Sequence, residues 1–324
     1  MRDISAGDLE KYCYCPLSWK LSRAGGLDAS MAEGAVRHRH MAKELENIVR
    51  GEWRASVYER AVIVSSLLAT AFALVGLFLF TSADLALQSR VLSVLALLWV
   101  LLAVLSMYAS ARARPPWDKK NGDLIVGTSA ILAMIMALSA VPIFGISNDR
   151  GVIAQAIALV LLMGASMSLY LSQANQDGAE RARKRSKVRG NITYIGENGS
   201  APVLRSEAHG LTGRPDYILE IDGGLVPVEV KTGRVPRGPL FSHIVQLAAY
   251  CLLLESEGEV THGILRYGDV EHIIAFDENL RSLLLKKLDE MRTAEALGEV
   301  HRDHGRPGKC RSCSRRDHCP ERLG

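Results

Sequence analysis

Asp216, Glu229 and Lys231 are the residues of this chain whose types and spacing point most directly to chemistry. Glu229 and Lys231 stand two residues apart near the end of an apolar run. Strand alternation therefore puts them on one face and Val228 and Val230 on the other. Asp216 opens the preceding run, and a tight turn at Asp222-Gly223-Gly224 folds that run back so that Asp216 comes alongside the same face. Two carboxylates and an ammonium then converge. Hard oxygen ligands of this kind suit Mg²⁺ or Mn²⁺, which lowers the pKa of a bound water and neutralises charge on a phosphate. The compact charge of Lys231 can orient the attacking hydroxide or stabilise developing negative charge. Taken alone, the Glu-x-Lys triplet is also the pattern of a surface ion pair on an exposed strand.

These residues need elements to position them. After Gly190 the chain reads as short β-rich runs, NITYIG, VLRSEAHGL, DYILEI and LVPVEV. Pro227 inside the last run is awkward for a central strand and predicts a bulge or an edge-facing amide. Residues Phe241 to Glu255 resume helical periodicity, which sets Gln246 and Tyr250 four apart on one helix face. Val260 to Tyr267 reads as a strand and Glu278 to Leu297 as a long amphipathic helix. Upstream, Met1 to Arg54 looks helical, with Ser5 as a cap for the first helix. Within Met31 to Val49, the residues Val36, His38, Met41, Leu45 and Ile48 recur at helical spacing, so His38 faces inward, as a hydrogen-bonded core residue or as a ligand.

Between these flanks the composition changes. The chain is 48% hydrophobic but only 6% aromatic, and the excess is local. Ala61 to Phe80, Val91 to Ser110, Leu124 to Ile146 and Gly151 to Ser172 contain no charged residue. Each block is about 20 residues, enough at roughly 1.5 Å per residue to cross a hydrocarbon core of about 30 Å. Four transmembrane helices are predicted, against the alternative of buried helices in a soluble protein. The loop Ala111 to Asp123 carries Arg112, Arg114, Lys119 and Lys120, while the other two loops carry Arg90 and Arg150 beside Asp84 and Asp149. The positive-inside rule makes the middle loop cytoplasmic, and an even number of spans puts both termini on that side. The basic run RARKRSKVR, Arg181 to Arg189, fits the same flank, with a DNA track or an anionic-lipid contact as other readings. The polar start shows no secretory signal. A net charge of +4 means that any nucleic-acid affinity must come from a local patch.

Six cysteines in such a chain read as metal ligands or free thiols rather than disulfides. Cys310, Cys313 and Cys319 fall within ten residues of a polar stretch, one thiol short of a closed tetrahedral site. Cys13 and Cys15 near the start offer a fourth. Cys251, amid Leu and Ala, reads as a small buried apolar residue.

The order Gly-Arg-Pro-Asp, strand, turn, Val-Pro-Val-Glu-Val-Lys-Thr-Gly and a helix with Gln-x-x-x-Tyr resembles the RecB-like branch of the PD-(D/E)XK nuclease superfamily. With Tyr14-Cys15-Pro16, Trp19 and Leu21 near the start and three cysteines near the end, the pattern resembles the CRISPR-associated Cas-four exonucleases over Asp3 to Leu45 and Asn191 to Pro320. The resemblance implies an α/β, restriction-endonuclease-like core with a cysteine-ligated metal cluster. It implies Mg²⁺ or Mn²⁺ at His38 (of Glu-Gly-x-x-x-His), Asp216 and Glu229, catalysis assisted by Lys231, and Gln246 and Tyr250 leaning toward the substrate or metal. It further implies a [4Fe-4S] cluster on Cys15, Cys310, Cys313 and Cys319, for which Zn²⁺ would satisfy the same spacing. DNA, single-stranded or with frayed ends, would be the substrate, and CRISPR adaptation proteins possible partners. The domain plan is then residues 1–55 and 176–324 as the nuclease, split by a four-helix transmembrane insertion at 56–175, which is where the chain departs from the family. Two other readings stand beside this one. The nuclease fold could serve as a non-catalytic DNA-binding or sensing module. A transporter with a regulatory domain is disfavoured because the spans carry no charge to mark a conduction path.

Overall fold

A computed structural model describes residues 3–24, 29–78, 149–196, 201–233 and 235–324. The chain divides into two compact units, one of Met1–Val49 with Ala182–Gly324 and one of Arg50–Arg181.

The first unit is built on a mixed sheet. In chain order it contains β1 (Ile4–Ser5), α1 (Ala6–Tyr14), α2 (Pro16–Ala24) and the first part of α3 (Ala29–Phe78). After the last residues of α4 (Asp149–Ser186) come β2 (Asn191–Ile195), β3 (Leu204–Ser206), β4 (Leu211–Gly213), β5 (Tyr217–Ile221) and β6 (Gly224–Lys231). Then follow α5 (Phe241–Leu254), β7 (His262–Tyr267), β8 (Val270–Ala275), α6 (Glu278–Leu297) and α7 (Pro307–Arg311). The five-stranded sheet has the order β2-β5-β6-β7-β8, antiparallel except where β6 and β7 run parallel across the α5 crossover. A smaller sheet has the order β1-β4-β3.

Local chemistry accounts for these elements. Ser5 caps α1 by accepting from the Asp8 N–H at 3.0 Å, and Asp277 caps α6 by accepting from Leu280 at 2.8 Å. Asp222 and Gly223 take positive φ of 52° and 84°, the geometry of a two-residue hairpin turn, with Ile221 paired to Gly224. The run VLRSEAHGL does not form one strand. It breaks into β3 and β4 around a turn closed by the Gly210 N–H to the Glu207 carbonyl at 3.2 Å.

Pro227 sits in a central strand without a bulge of its own; the register shift lies in β2, between Ile192 and Tyr194. The Leu225 N–H donates toward the β7 side, to Glu259 at 2.8 Å, so the Pro227 nitrogen faces that side too. Pairing with β7 begins only at Val228, and the missing donor therefore falls before the ladder starts.

The sheet separates two apolar layers. Val226, Val228 and Val230 pack with Ala42, Leu45 and Ile48 of α3, while Ile218, Leu265 and Tyr267 pack with Leu9 and Tyr12 of α1, Val245 and Ala248 of α5, and Leu284 and Leu288 of α6. Of the residues expected to face inward on α3, Leu45 and Ile48 do so, but Val36, near the start of the helix, is exposed.

In the second unit Ala55, Val62, Ser66 and Ala69 of α3 and Ala158, Ala165, Ser172 and Ala179 of α4 are buried, and α3 meets α4 where Gly51 lies against Ala179. The Ser172 hydroxyl donates to the Ala55 carbonyl at 3.1 Å, a device suited to close helix approach. Among the described residues, two stretches are long and apolar enough to cross a membrane, Val36–Phe72 and Ala156–Ser186. They present Ile63, Val64, Leu67, Ile157, Val160 and Met163 outward as exposed apolar side chains. The expected span Ala61 to Phe80 falls largely on α3 and Gly151 to Ser172 on α4. The two middle spans and the basic loop between them lie outside the described residues.

Candidate active site

Asp216 immediately precedes β5, whose Tyr217 pairs with Val228, so the antiparallel register brings Asp216 opposite Glu229. Its position is held from two sides. The Gly196 N–H donates to the Asp216 carbonyl at 2.8 Å, and a Cβ at Gly196 would lie 2.1 Å from the Pro215 oxygen, so only glycine fits there. At the side chain, the Val230 N–H donates to Oδ2 at 2.7 Å, and His38 Nδ1 lies 2.7 Å from Oδ1. Gly213 plays a comparable part in the Gly-Arg-Pro-Asp run. A Cβ there would meet Tyr250 Cε1 at 2.9 Å and Leu253 Cδ1 at 2.8 Å, so glycine lets β4 lie against α5.

Glu229 and Lys231 share the β6 face that looks toward α1 and α5. Lys231 Nζ donates to Gln246 Oε1 at 2.6 Å and lies 3.1 Å from Glu229 Oε1 and 3.5 Å from Glu10 Oε2. Gln246 Nε2 in turn donates to the Tyr250 hydroxyl at 2.9 Å. The structure thus joins Asp216 to His38, and joins Glu229, Lys231, Gln246 and Tyr250 in a second connected set. Gln246 and Tyr250 are buried, 5% and 4% exposed, with Gln246 hydrogen-bonded to both Lys231 and Tyr250.

Burial sets the electrostatics. Glu229 is pushed up to about 7, first by desolvation and then by the facing Asp216, with Lys231 opposing. Burial works against the charge on Lys231, but Glu229 and Glu10 together hold its pKa above the usual lysine value. The Tyr250 phenol is raised well above its ordinary range by burial and by Glu229, so it stays protonated and remains a hydrogen-bonding group.

The donor set fits a divalent cation. Two buried carboxylates facing each other across adjacent strands repel, and a Mg²⁺ or Mn²⁺ ion with His38 nearby would relieve that repulsion with hard ligands.

Sequence reasoning missed Glu10 and His243. Glu10 on α1 contacts Lys231, and its second oxygen lies 3.3 Å from His243 Nε2. Neither residue has a local motif; both reach the site through packing of α1 against α5.

At a separate place, Cys15, Cys310, Cys313 and Cys319 line one small cavity with Ser18 and His304. Four soft sulfur donors around one cavity fit a metal bound through cysteine. Cys15, Asp303 and His304 place one ligand atom each within 4.8 Å of one another. The Ser18 hydroxyl lies 3.3 Å from Cys313 Sγ, and the pocket is closed by the Tyr14 hydroxyl donating to the Lys309 carbonyl at 2.8 Å and Lys309 Nζ donating to the Tyr14 carbonyl at 2.6 Å. Burial raises the Cys15 thiol, against hydrogen bonds from Ser18 and Leu17. Cys13 and Cys251 lie buried elsewhere, each pushed up to about 12 by burial.

No curated protein matches the chain. Residues 165–320 match the model of the PD-(D/E)XK nuclease superfamily, whose members are generally metal-dependent nucleases, and that stretch carries Asp216, Glu229, Lys231, Gln246 and Tyr250.

Proposed function

We propose that this protein is a membrane-anchored, metal-dependent deoxyribonuclease acting as an exonuclease on single strands or frayed ends. The observation that carries the reading is the pair of facing buried carboxylates with an ammonium held beside them. His38, Asp216 and Glu229 would hold Mg²⁺ or Mn²⁺, which when bound lowers the pKa of a coordinated water and neutralises charge on the scissile phosphate. Lys231 directs its charge at the phosphate oxygens as negative charge develops there. Gln246 and Tyr250 hold Lys231 at that angle.

The cysteine cavity takes a structural metal in this reading, a [4Fe-4S] cluster as in the Cas-four family or a Zn²⁺ ion, ligated by Cys15, Cys310, Cys313 and Cys319. Residues 1–55 and 176–324 form the nuclease and 56–175 the membrane anchor, with both termini cytoplasmic. Exposed apolar side chains on α3 and α4 support the anchor. A role in CRISPR adaptation, with its associated proteins as partners, is the pathway the resemblance favours. The experiment is a digest of linear and circular single-stranded DNA by detergent-purified protein with Mn²⁺. An exonuclease degrades the linear strand and spares the circle. Loss of both strands makes it an endonuclease. Loss of neither supports a non-catalytic DNA-binding module.

A further inference from the structure

Glu10 is an acidic group at the site that metal binding leaves without a task. It lies on α1, outside residues 165–320, and its helix is fixed by Leu9, Tyr12 and Cys13 in the core. Its two oxygens are separately occupied: Oε2 is 3.5 Å from Lys231 Nζ, and Oε1 is 3.3 Å from His243 Nε2. His243 is itself held, with Nδ1 2.7 Å from the Tyr267 hydroxyl and its ring stacked on Tyr267 at 5.6 Å. An ionised Glu10 can only accept, which places a proton on His243 Nε2; in the neutral imidazole Nδ1 then accepts from the Tyr267 hydroxyl, whose oxygen accepts from the Leu240 N–H at 3.2 Å. The result is a chain of oriented donors from the α5 N-terminus to Glu10 and Lys231.

Lys231 has three N–H bonds and three partners, Gln246, Glu229 and Glu10. A divalent cation engaging Glu229 would withdraw one of them and repel the ammonium. Of the three, Glu10 is the anion left to hold it. We propose that Glu10, oriented by His243, is a positioning residue for Lys231, so that the N-terminal helix supplies part of the catalytic apparatus. The proposal rests on the nuclease reading of this site. The simpler role of the pair, an ion pair that docks α1 on α5, would affect stability without acting through Lys231.

The test uses the full-length protein, Mn²⁺ and a single-stranded oligonucleotide. Glu10→Gln is expected to lower kcat roughly 10- to 100-fold with KM within about 2-fold, the scale of a small misplacement of a catalytic group. In a Lys231→Ala background the same change should alter the residual rate less than about 2-fold, since the partner it acts on is gone. Glu10→Asp should recover part of the loss, and it carries the test if Glu10→Gln does not fold. Unchanged kcat in Glu10→Gln, or an equal loss in both backgrounds, overturns the positioning role while wild-type cleavage leaves the nuclease reading intact. Absence of cleavage by the wild type overturns both.

Discussion

The carboxylate site and the cysteine cavity are built on opposite principles. At the first, the charged and polar groups are engaged by other groups of the protein: His38 and the Val230 N–H on Asp216, Gln246 and two carboxylates on Lys231, His243 on Glu10. Its residues come from strands and helices locked in two apolar layers. At the second, the thiols sit where the chain's two ends meet, at the α1–α2 junction and along short helical turns after Arg306. The difference teaches that the first site is preformed by packing, whereas the second, in the proposed reading, would depend on a bound metal. α1 links them, since Glu10 lies on it and Cys15 caps its C-terminal end.

That contrast can be broken in several ways. The largest effect is expected from removing a ligand of the preformed site. Glu229→Ala should lower the cleavage rate at least roughly 1000-fold, since a catalytic metal and its bound water go with it, while circular dichroism stays native. The cysteine cavity should behave the other way. Cys310→Ser should release bound metal, measured by plasma emission spectrometry, and lower Tm by roughly 10 °C or more, because metal binding there contributes to folding. Visible absorption of protein purified without oxygen separates an iron–sulfur cluster from colourless zinc.

A smaller effect tests the electrostatics of the first site. A carboxyl held above its ordinary value binds its proton more tightly when folded. The Glu229 contribution is therefore fully present below about pH 4.5 and is lost as pH rises to about 7. Glu229→Gln in EDTA should gain on wild type by roughly 5–10 °C in Tm across that window, and Mn²⁺ should close the gap by stabilising wild type alone. A flat difference would mean that burial and the facing Asp216 do not raise the Glu229 carboxyl.

Much of the site was legible because it obeys local periods. The two-residue spacing of Glu229 and Lys231, the Asp222-Gly223 turn and the four-residue spacing of Gln246 and Tyr250 are short-range rules, and α6 spans the predicted Glu278–Leu297. What was not legible depends on distant packing. Glu10 and His243 meet Lys231 only because α1 docks on α5, and Gly196 matters only because Pro215 lies against it. β8 escaped notice because it is an edge strand whose sequence VEHIIA lacks clean alternation and whose Ile273 is exposed. Val36 fits the helical period yet faces outward, because the sheet that α3 packs on meets it only further along, at Ala42, Leu45 and Ile48.

The most direct measurement of the central claim is the rate of single-stranded DNA cleavage in Mn²⁺ by wild type and by Asp216→Asn, which keeps the side chain's shape and removes its charge. The account predicts cleavage by wild type that EDTA abolishes, and none by the variant above background. Cleavage at the wild-type rate by Asp216→Asn, with contaminating nuclease excluded, would contradict it.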